Sequence, residues 1–422
     1  MTATTEAMAP QAILARLPAA LARLLRAEAG PLLPAVRAEV FGPQRFAQHG
    51  QSLGVTHAAR RPAWRGAGSF PKFFPRLRDN IRMLREAQAV LALQAGGGDE
   101  PGPAALWLLD NFGLIEAQLL AIHEGLPRSY FRSLPVLEGE PLAGLPRVYG
   151  VAWAFVAHSD SAFDEDLLVH YLAGYQTTRE LDLAEMWALP TTLRVVLVEN
   201  LRRLAERLAT HQAARELARR CAENPAACPL PVLQALCVPL ALRGVEDVFL
   251  TQLGQQWLEP HHASPETVPA AQRLWLAVQL QARLPAAGTL AARQQAEQTA
   301  DNLSVSNAVG ALRAVNDADW PAIVARSSPV TQLMLGDALF AAEHHKSRDQ
   351  TLHGIEALAR RSQRSEMQVA QALRSLIDNA ATTSGSSTIT TTAGHWLHGP
   401  GRPALARALD LREPLAAAAR AL

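Results

Sequence analysis

The chain has 422 residues, 49% of them hydrophobic and 19% charged, with a formal net charge of +1. That length buries a sizeable core and leaves room for two to three domains. The near-neutral charge excludes a dominant electrostatic attraction to nucleic acid or to an anionic membrane surface.

The basic residues are nearly all arginine, with lysine only at Lys72 and Lys346. Cys221, Cys228 and Cys237 match no common zinc spacing. The opening ten residues lack a basic segment followed by an apolar one. Together these read as reduced thiols in a cytoplasmic setting. No stretch approaches the ~20 apolar residues that span a bilayer, so the chain is not expected to be an integral membrane protein by itself.

In chain order, Ile13, Leu14, Leu17, Leu21, Leu24 and Leu25 recur at three- and four-residue steps and predict an amphipathic helix. A Pro-, Gly- and Arg-rich passage from Gly42 to Pro75 reads as an irregular connection. Within it Arg60, Arg61, Trp64 and Arg65 suit a solvated loop better than a phosphate site. Helix resumes at Leu77, with Ile81, Leu84, Val90 and Leu91 inward, and stops at Gly96-Gly97-Gly98. Residues 1–98 are thus expected to form an N-terminal helical segment with an irregular loop.

The expected main helical domain covers residues 99–380. A helix runs from about Leu106 to Gly125, a loop from Arg128 to Pro146, and an all-round apolar helix from Val148 to His158. Further helices are predicted near Asp164–Tyr175, Leu183–Ala209, Gln212–Glu223, Leu233–Leu240, Val245–Trp257, Pro269–Leu284, Thr289–Val315 and Trp320–Ala325. Two more follow at Ser347–Ser362 and Ser365–Asp378, each opened by a serine. The low-complexity stretch Thr382–Thr392 places a linker and tail at residues 381–422. The class is all-α, a multi-helix bundle with irregular Pro/Gly-rich loops, and the paired helices leave a stacked arrangement open.

Aromatics are 5% of the chain, yet Tyr149, Trp153, Phe155 and Phe163 fall in one short run. Arg147 precedes them, and Asp160, Asp164, Glu165 and Asp166 close it. Asp164-Glu165-Asp166 satisfies the D-x-D pattern with which many glycosyltransferases hold a metal and a nucleotide-sugar diphosphate. That pattern normally follows a strand, and a helix precedes it here. Asp160 or Ser161 as a helix cap, with the acids complementing the positive helix end, is the favoured alternative.

One later helix carries Glu185, Trp187, Arg194 and Glu199. Glu199 and Arg203 stand four apart, which makes a surface pair or, if buried, part of a network that holds helices together. The doublets His261-His262 and His344-His345 do not present the one-face spacing of a zinc site. The candidate binding residues are therefore Arg147, Tyr149, Trp153, Asp160, Asp164, Glu185, Trp187, Arg194 and Glu199. No catalytic residue and no metal ligand is assigned.

Several segments, in order, resemble the N-terminal region of bacterial cyclic β-1,2-glucan synthases. The first runs from ALWLLDNFGLIEAQLL to RVYGVAWAFVAHSDSAFDEDLL. Then come ELDLAEMWALPTTLRVVLVENLRRLAERL, LSVSNAVGALRAVNDADWPAIVARSSPV, SRDQTLHGIEALARRSQRSEMQVAQAL and GHWLHGPGRPALARAL. RFAQHGQSLGV and RLRDNIRMLREA are similar in type. One departure is the basic approach His344-His345-Lys346 before Ser347-Arg348-Asp349.

The resemblance implies a non-catalytic cytoplasmic domain at the inner membrane face, packed against the glycosyltransferase and membrane domains of the same synthase. It implies UDP-glucose and a divalent metal for the parent enzyme and no cofactor in this chain. Tyr149, Trp153 and Trp187 stacked on sugar rings would make the chain a β-glucan-binding protein or scaffold instead.

Overall fold

The computed structural model describes residues 13–15, 17–26, 30–60, 72–95, 102–258, 268–283, 287–383 and 389–411. Gly96-Gly97-Gly98, Arg61, Trp64, Arg65, His261, His262 and the middle of the Ser/Thr-rich stretch lie outside them. The described residues form twenty α-helices and one short antiparallel pair, so the class is all-α.

The first elements are α1 (Ala19–Leu24), α2 (Pro43–Thr56), β1 (Ala59–Arg60), α3 (Phe73–Ala95), α4 (Pro103–Asp110), α5 (Phe112–Glu124), α6 (Arg128–Phe131) and β2 (Val136–Leu137). Helix α2 corrects the expectation of an irregular passage from Gly42 to Pro75. Part of its buried face is glycine, and Val55 lies on its exposed side, so no clean apolar stripe announces it. It packs across α8 (Glu165–Gln176), which follows α7 (Arg147–His158). Glycine makes that crossing possible. A Cβ on Gly50 would lie 2.9 Å from the Tyr175 amide nitrogen, and one on Gly54 would lie 2.8 Å from the Tyr175 carbonyl oxygen. A Cβ on Gly174 would overlap the Ala47 carbonyl group.

Helix α9 (Leu183–Glu223) is one 41-residue element where the sequence suggested two. Such a helix is about 60 Å long. It packs against α1, α3 and α7, and its apolar burial, about 1.5–3 kcal/mol for each fully buried Leu or Val, outweighs the mixed polarity of its sequence. After α10 (Leu230–Arg243), α11 (Glu246–Leu258) and α12 (Ala270–Arg283), helix α13 (Ala287–Asp317) returns against α9 and α4. The predicted helix through Leu106 and Ile122 is broken at Asn111, where α4 and α5 meet at 57°. No single helix among the described residues is long and apolar enough to cross a membrane.

The remaining helices are α14 (Trp320–Ser327), α15 (Pro329–Leu335), α16 (Ala338–Ala342), α17 (His345–Ser362), α18 (Glu366–Thr383), α19 (Ala393–Leu397) and α20 (Arg402–Ala408). His344, not Ser347, caps α17. Ser365 and Gln368 exchange reciprocal side-chain-to-amide bonds at the start of α18, as its opening serine suggested.

Two apolar clusters result. The larger draws on residues from Ile13 to Val324, and the smaller joins Leu183 to residues from Val330 to Leu409. Trp187 packs against both. The first turn of α9 is tied to the second cluster by the Leu183 amide, which donates to the Glu366 carboxylate at 2.7 Å. Cys221, Cys228 and Cys237 are buried in the larger cluster and form no disulfide with one another.

Candidate functional site

The sequence candidates do not converge on one place. One group is a polar knot on Glu199, which is fully buried at mid-helix in α9. Its carboxylate accepts from Arg76 twice, Nε at 2.8 Å and Nη2 at 2.5 Å, and from Asn80 Nδ2 at 2.9 Å. Tyr149 Oη donates at 2.7 Å and Arg203 Nη2 at 2.7 Å. Five donors meet about four lone-pair positions, so none is left for a metal, a substrate proton or a sugar hydroxyl. Burial opposes ionisation of Glu199, but the Arg76 bonds and charge, with Arg203 and Tyr149, outweigh it and hold the carboxyl at about 2.

Trp153 belongs to the same knot, with the Arg203 guanidinium 4.8 Å and the Arg76 guanidinium 5.9 Å from its ring centre. The expected Glu199–Arg203 pair is therefore buried and joins helices, as the network reading required. It extends along α9. Arg202 donates to Asn80 Oδ1 at 3.1 Å and to Glu206 at 2.8 Å, and Glu206 receives the fully buried Arg243 at 3.0 Å.

Arg147 and Glu185 form the second buried pair. Arg147 donates to both carboxylate oxygens, through Nε at 2.9 Å to one of them, and also to the Glu180 carbonyl at 3.0 Å. Glu185 in turn accepts the Asp182 amide at 3.0 Å, which closes a capping box at the start of α9. Burial pushes the Glu185 carboxyl up against the pull of Arg147. His57, bonded to Tyr175 Oη at 3.1 Å, is lowered to about 4 by burial and by the nearby Arg147 and Arg179 charges.

The acids after α7 are also committed. Asp164 is the N-cap of α8, accepting the Leu167 amide at 2.8 Å, and Asp166 pairs with Arg326 at 2.6 Å. The cap is thus Asp164 and not Asp160 or Ser161. Those two hold left-handed backbone angles, φ 47° and 65°, at the corner between α7 and α8. Asp160 accepts from Ser304 and pairs with Arg37 at 3.3 Å, while Ser161 accepts from Asn200 at 2.8 Å. Among the described residues no three His, Cys, Asp or Glu side chains converge on a metal position.

Arg194 is half-buried on α9 and reaches Asn316 at 3.4 Å; burial lowers its guanidinium. Trp187, also half-buried, walls an open cleft of about 270 Å³ at the seam of the two clusters, while Asp164 lines a shallower depression of about 470 Å³ with Phe163, Glu165, Asp166 and Asp317. Facing Trp187 are Asp319, Thr331, Phe340, His345, Arg348 and Asp349.

No family model matches the chain. The cyclic β-(1,2)-glucan synthase NdvB of Rhizobium meliloti is 28% identical over 329 residues, 75% of this chain and 11% of that protein. The chain is related to the cyclic β-(1,2)-glucan synthases. It spans about a tenth of the synthase it matches.

Measured against this synthase relationship, the sequence reading missed Arg76 and Asn80 in the knot and Thr331, Arg348 and Asp349 at the cleft. Asn80 carried a signal, since it falls on the stripe of Phe73, Leu77, Leu84 and Ala87, where an amide is out of place. Thr331 carried none, because its burial comes from neighbours far along the chain.

Proposed function

We propose that the chain is a non-catalytic helical domain of a cyclic β-(1,2)-glucan synthase. On this reading it lies on the cytoplasmic face of the inner membrane and packs against the glycosyltransferase and membrane domains of the same protein. It supports or regulates the step that transfers glucosyl from UDP-glucose to the 2-hydroxyl of a growing chain. UDP-glucose and a divalent metal belong to those other domains. The observation that carries the proposal is the match of 75% of this chain to 11% of a synthase, joined to the structural use of the two buried α9 carboxylates. Glu185 and Glu199 are fully buried and hydrogen-bonded, so they hold helices rather than move protons.

The test is deletion of the corresponding segment from a full-length synthase, followed by measurement of glucosyl incorporation and ring size in membranes. Lower yield or a shifted size distribution is expected, with restoration when the segment is returned. Unchanged yield and ring size, at unchanged protein level, would sink the proposal.

A further inference from the structure

The Trp187 cleft lies apart from the buried knot, and three features distinguish it from an incidental surface fold. Its walls come from three separate segments: Trp187 near the start of α9, Asp319 and Thr331 around α14 and α15, and Arg348 with Asp349 in the first turns of α17. The second feature is Thr331, whose residue is 6% exposed and whose hydroxyl is buried with no hydrogen-bond partner. Leaving such a group unpaired costs about 1–3 kcal/mol. The third is that the half-buried Arg348 and Asp349 make no ion pair among the described residues.

We propose that this cleft holds one hexopyranose unit of a neutral β-linked glucan. The half-exposed indole and the Phe340 ring supply apolar surface for the C–H face of a sugar ring. Thr331, Arg348, Asp349 and Asp319 supply donors and acceptors of both kinds for its hydroxyls. The cleft volume, about 270 Å³, sits at the low end of ligand sites, which begin near 300 Å³, and suits one ring with its neighbours at the mouth. With Asp349 and the α14 cap Asp319 set against Arg348, the walls carry no excess of positive charge to hold a diphosphate, which favours the neutral chain over the nucleotide sugar. The hexose site rests on the cleft itself; the β-1,2 linkage rests on the proposed function.

The experiment is calorimetric titration of the whole 422-residue chain with sophorose, a β-1,2-linked glucohexaose, cellobiose and UDP-glucose, alongside thermal melts. Sophorose and the hexaose are expected to bind. Thr331→Val and Asp349→Asn are each expected to weaken binding about three- to tenfold, the factor for one hydrogen bond, while their melting curves stay unchanged or rise. Trp187→Ala abolishes binding, but it also removes contacts to both clusters, so the two conservative variants carry the decision. No binding of any saccharide by the folded chain overturns the site, as does affinity that both variants leave intact. Tighter binding of UDP-glucose, weakened by the same variants, overturns the neutral ligand. Equal affinity for cellobiose and sophorose keeps the site and removes the β-1,2 preference. Loss of function on deletion in the intact synthase is a separate result that this titration does not duplicate.

Discussion

Glu199 and Trp187 stand on one helix about three turns apart, yet their surroundings are opposite. Around Glu199 every oxygen is engaged, two arginines and a tyrosine converge, and an indole covers the guanidinium groups. Around Trp187 the polar groups face a gap, one hydroxyl has no partner, and the charged side chains are unpaired with each other. Concentrated polar chemistry in a core is therefore a poor marker of function unless some of its bonding capacity is left open. The Glu199 carboxylate is saturated and structural, with only Arg203 Nε left unpaired beside it; the cleft is sparse and available.

The strongest test of that contrast is Glu199→Gln. It leaves the buried Arg203 and the half-buried Arg76 beside a neutral group, and losing one partner of a buried ionic network costs about 3–5 kcal/mol. A large fall in denaturant midpoint is expected, and a change under 1 kcal/mol would place the knot among ornamental contacts. The same variant should alter the acid limb of unfolding. The Glu199 carboxyl sits at about 2 in the fold against an ordinary 4.5, so its contribution is complete above pH 4.5 and disappears as pH falls toward 2. That part of the acid dependence should vanish from the variant's pH–stability profile.

Next in size is Gly174→Ala, which forces a methyl group against the Ala47 backbone at the α2–α8 crossing. Overpacking of this kind costs about 1–3 kcal/mol, and a shift measured by chemical denaturation checks it. Asp164→Ala removes only a helix cap, worth about 1 kcal/mol. It should leave any saccharide binding unchanged, which separates capping from a D-x-D metal role. The smallest effect, and the one of opposite sign, belongs to Thr331→Val. Removing an unpaired buried hydroxyl should leave the melting temperature level or raise it.

The helical class and most helix positions were legible because three- and four-residue apolar spacing survives without any tertiary information, as in α8, α13 and α18. Helix α2 was not legible, since glycines such as Gly50 and Gly54 form part of its contact face and leave no apolar stripe there. The run from Leu145 to Leu168 correctly marked a place of unusual density, and Glu199 with Arg203 was readable as a pair. Its meaning was not readable, because saturation of Glu199 depends on Arg76 and Asn80, more than a hundred residues earlier. The cleft was visible only through Trp187. Its other walls are brought together by the packing of α14, α15 and α17, a relation that no local pattern encodes.

Pro190 lies between these two regions, inside α9. A proline has no amide hydrogen and withholds one rung from the helical ladder, so bending there is cheaper than in the uninterrupted turns beyond it. Downstream of Pro190, the helix is clamped by guanidinium groups on several neighbours. Upstream, it carries Trp187 and the tie from Leu183 to Glu366. The first two turns of α9 are held as well, by the Arg147 guanidinium on Glu185, so Pro190 is a missing rung between two clamped stretches of the helix.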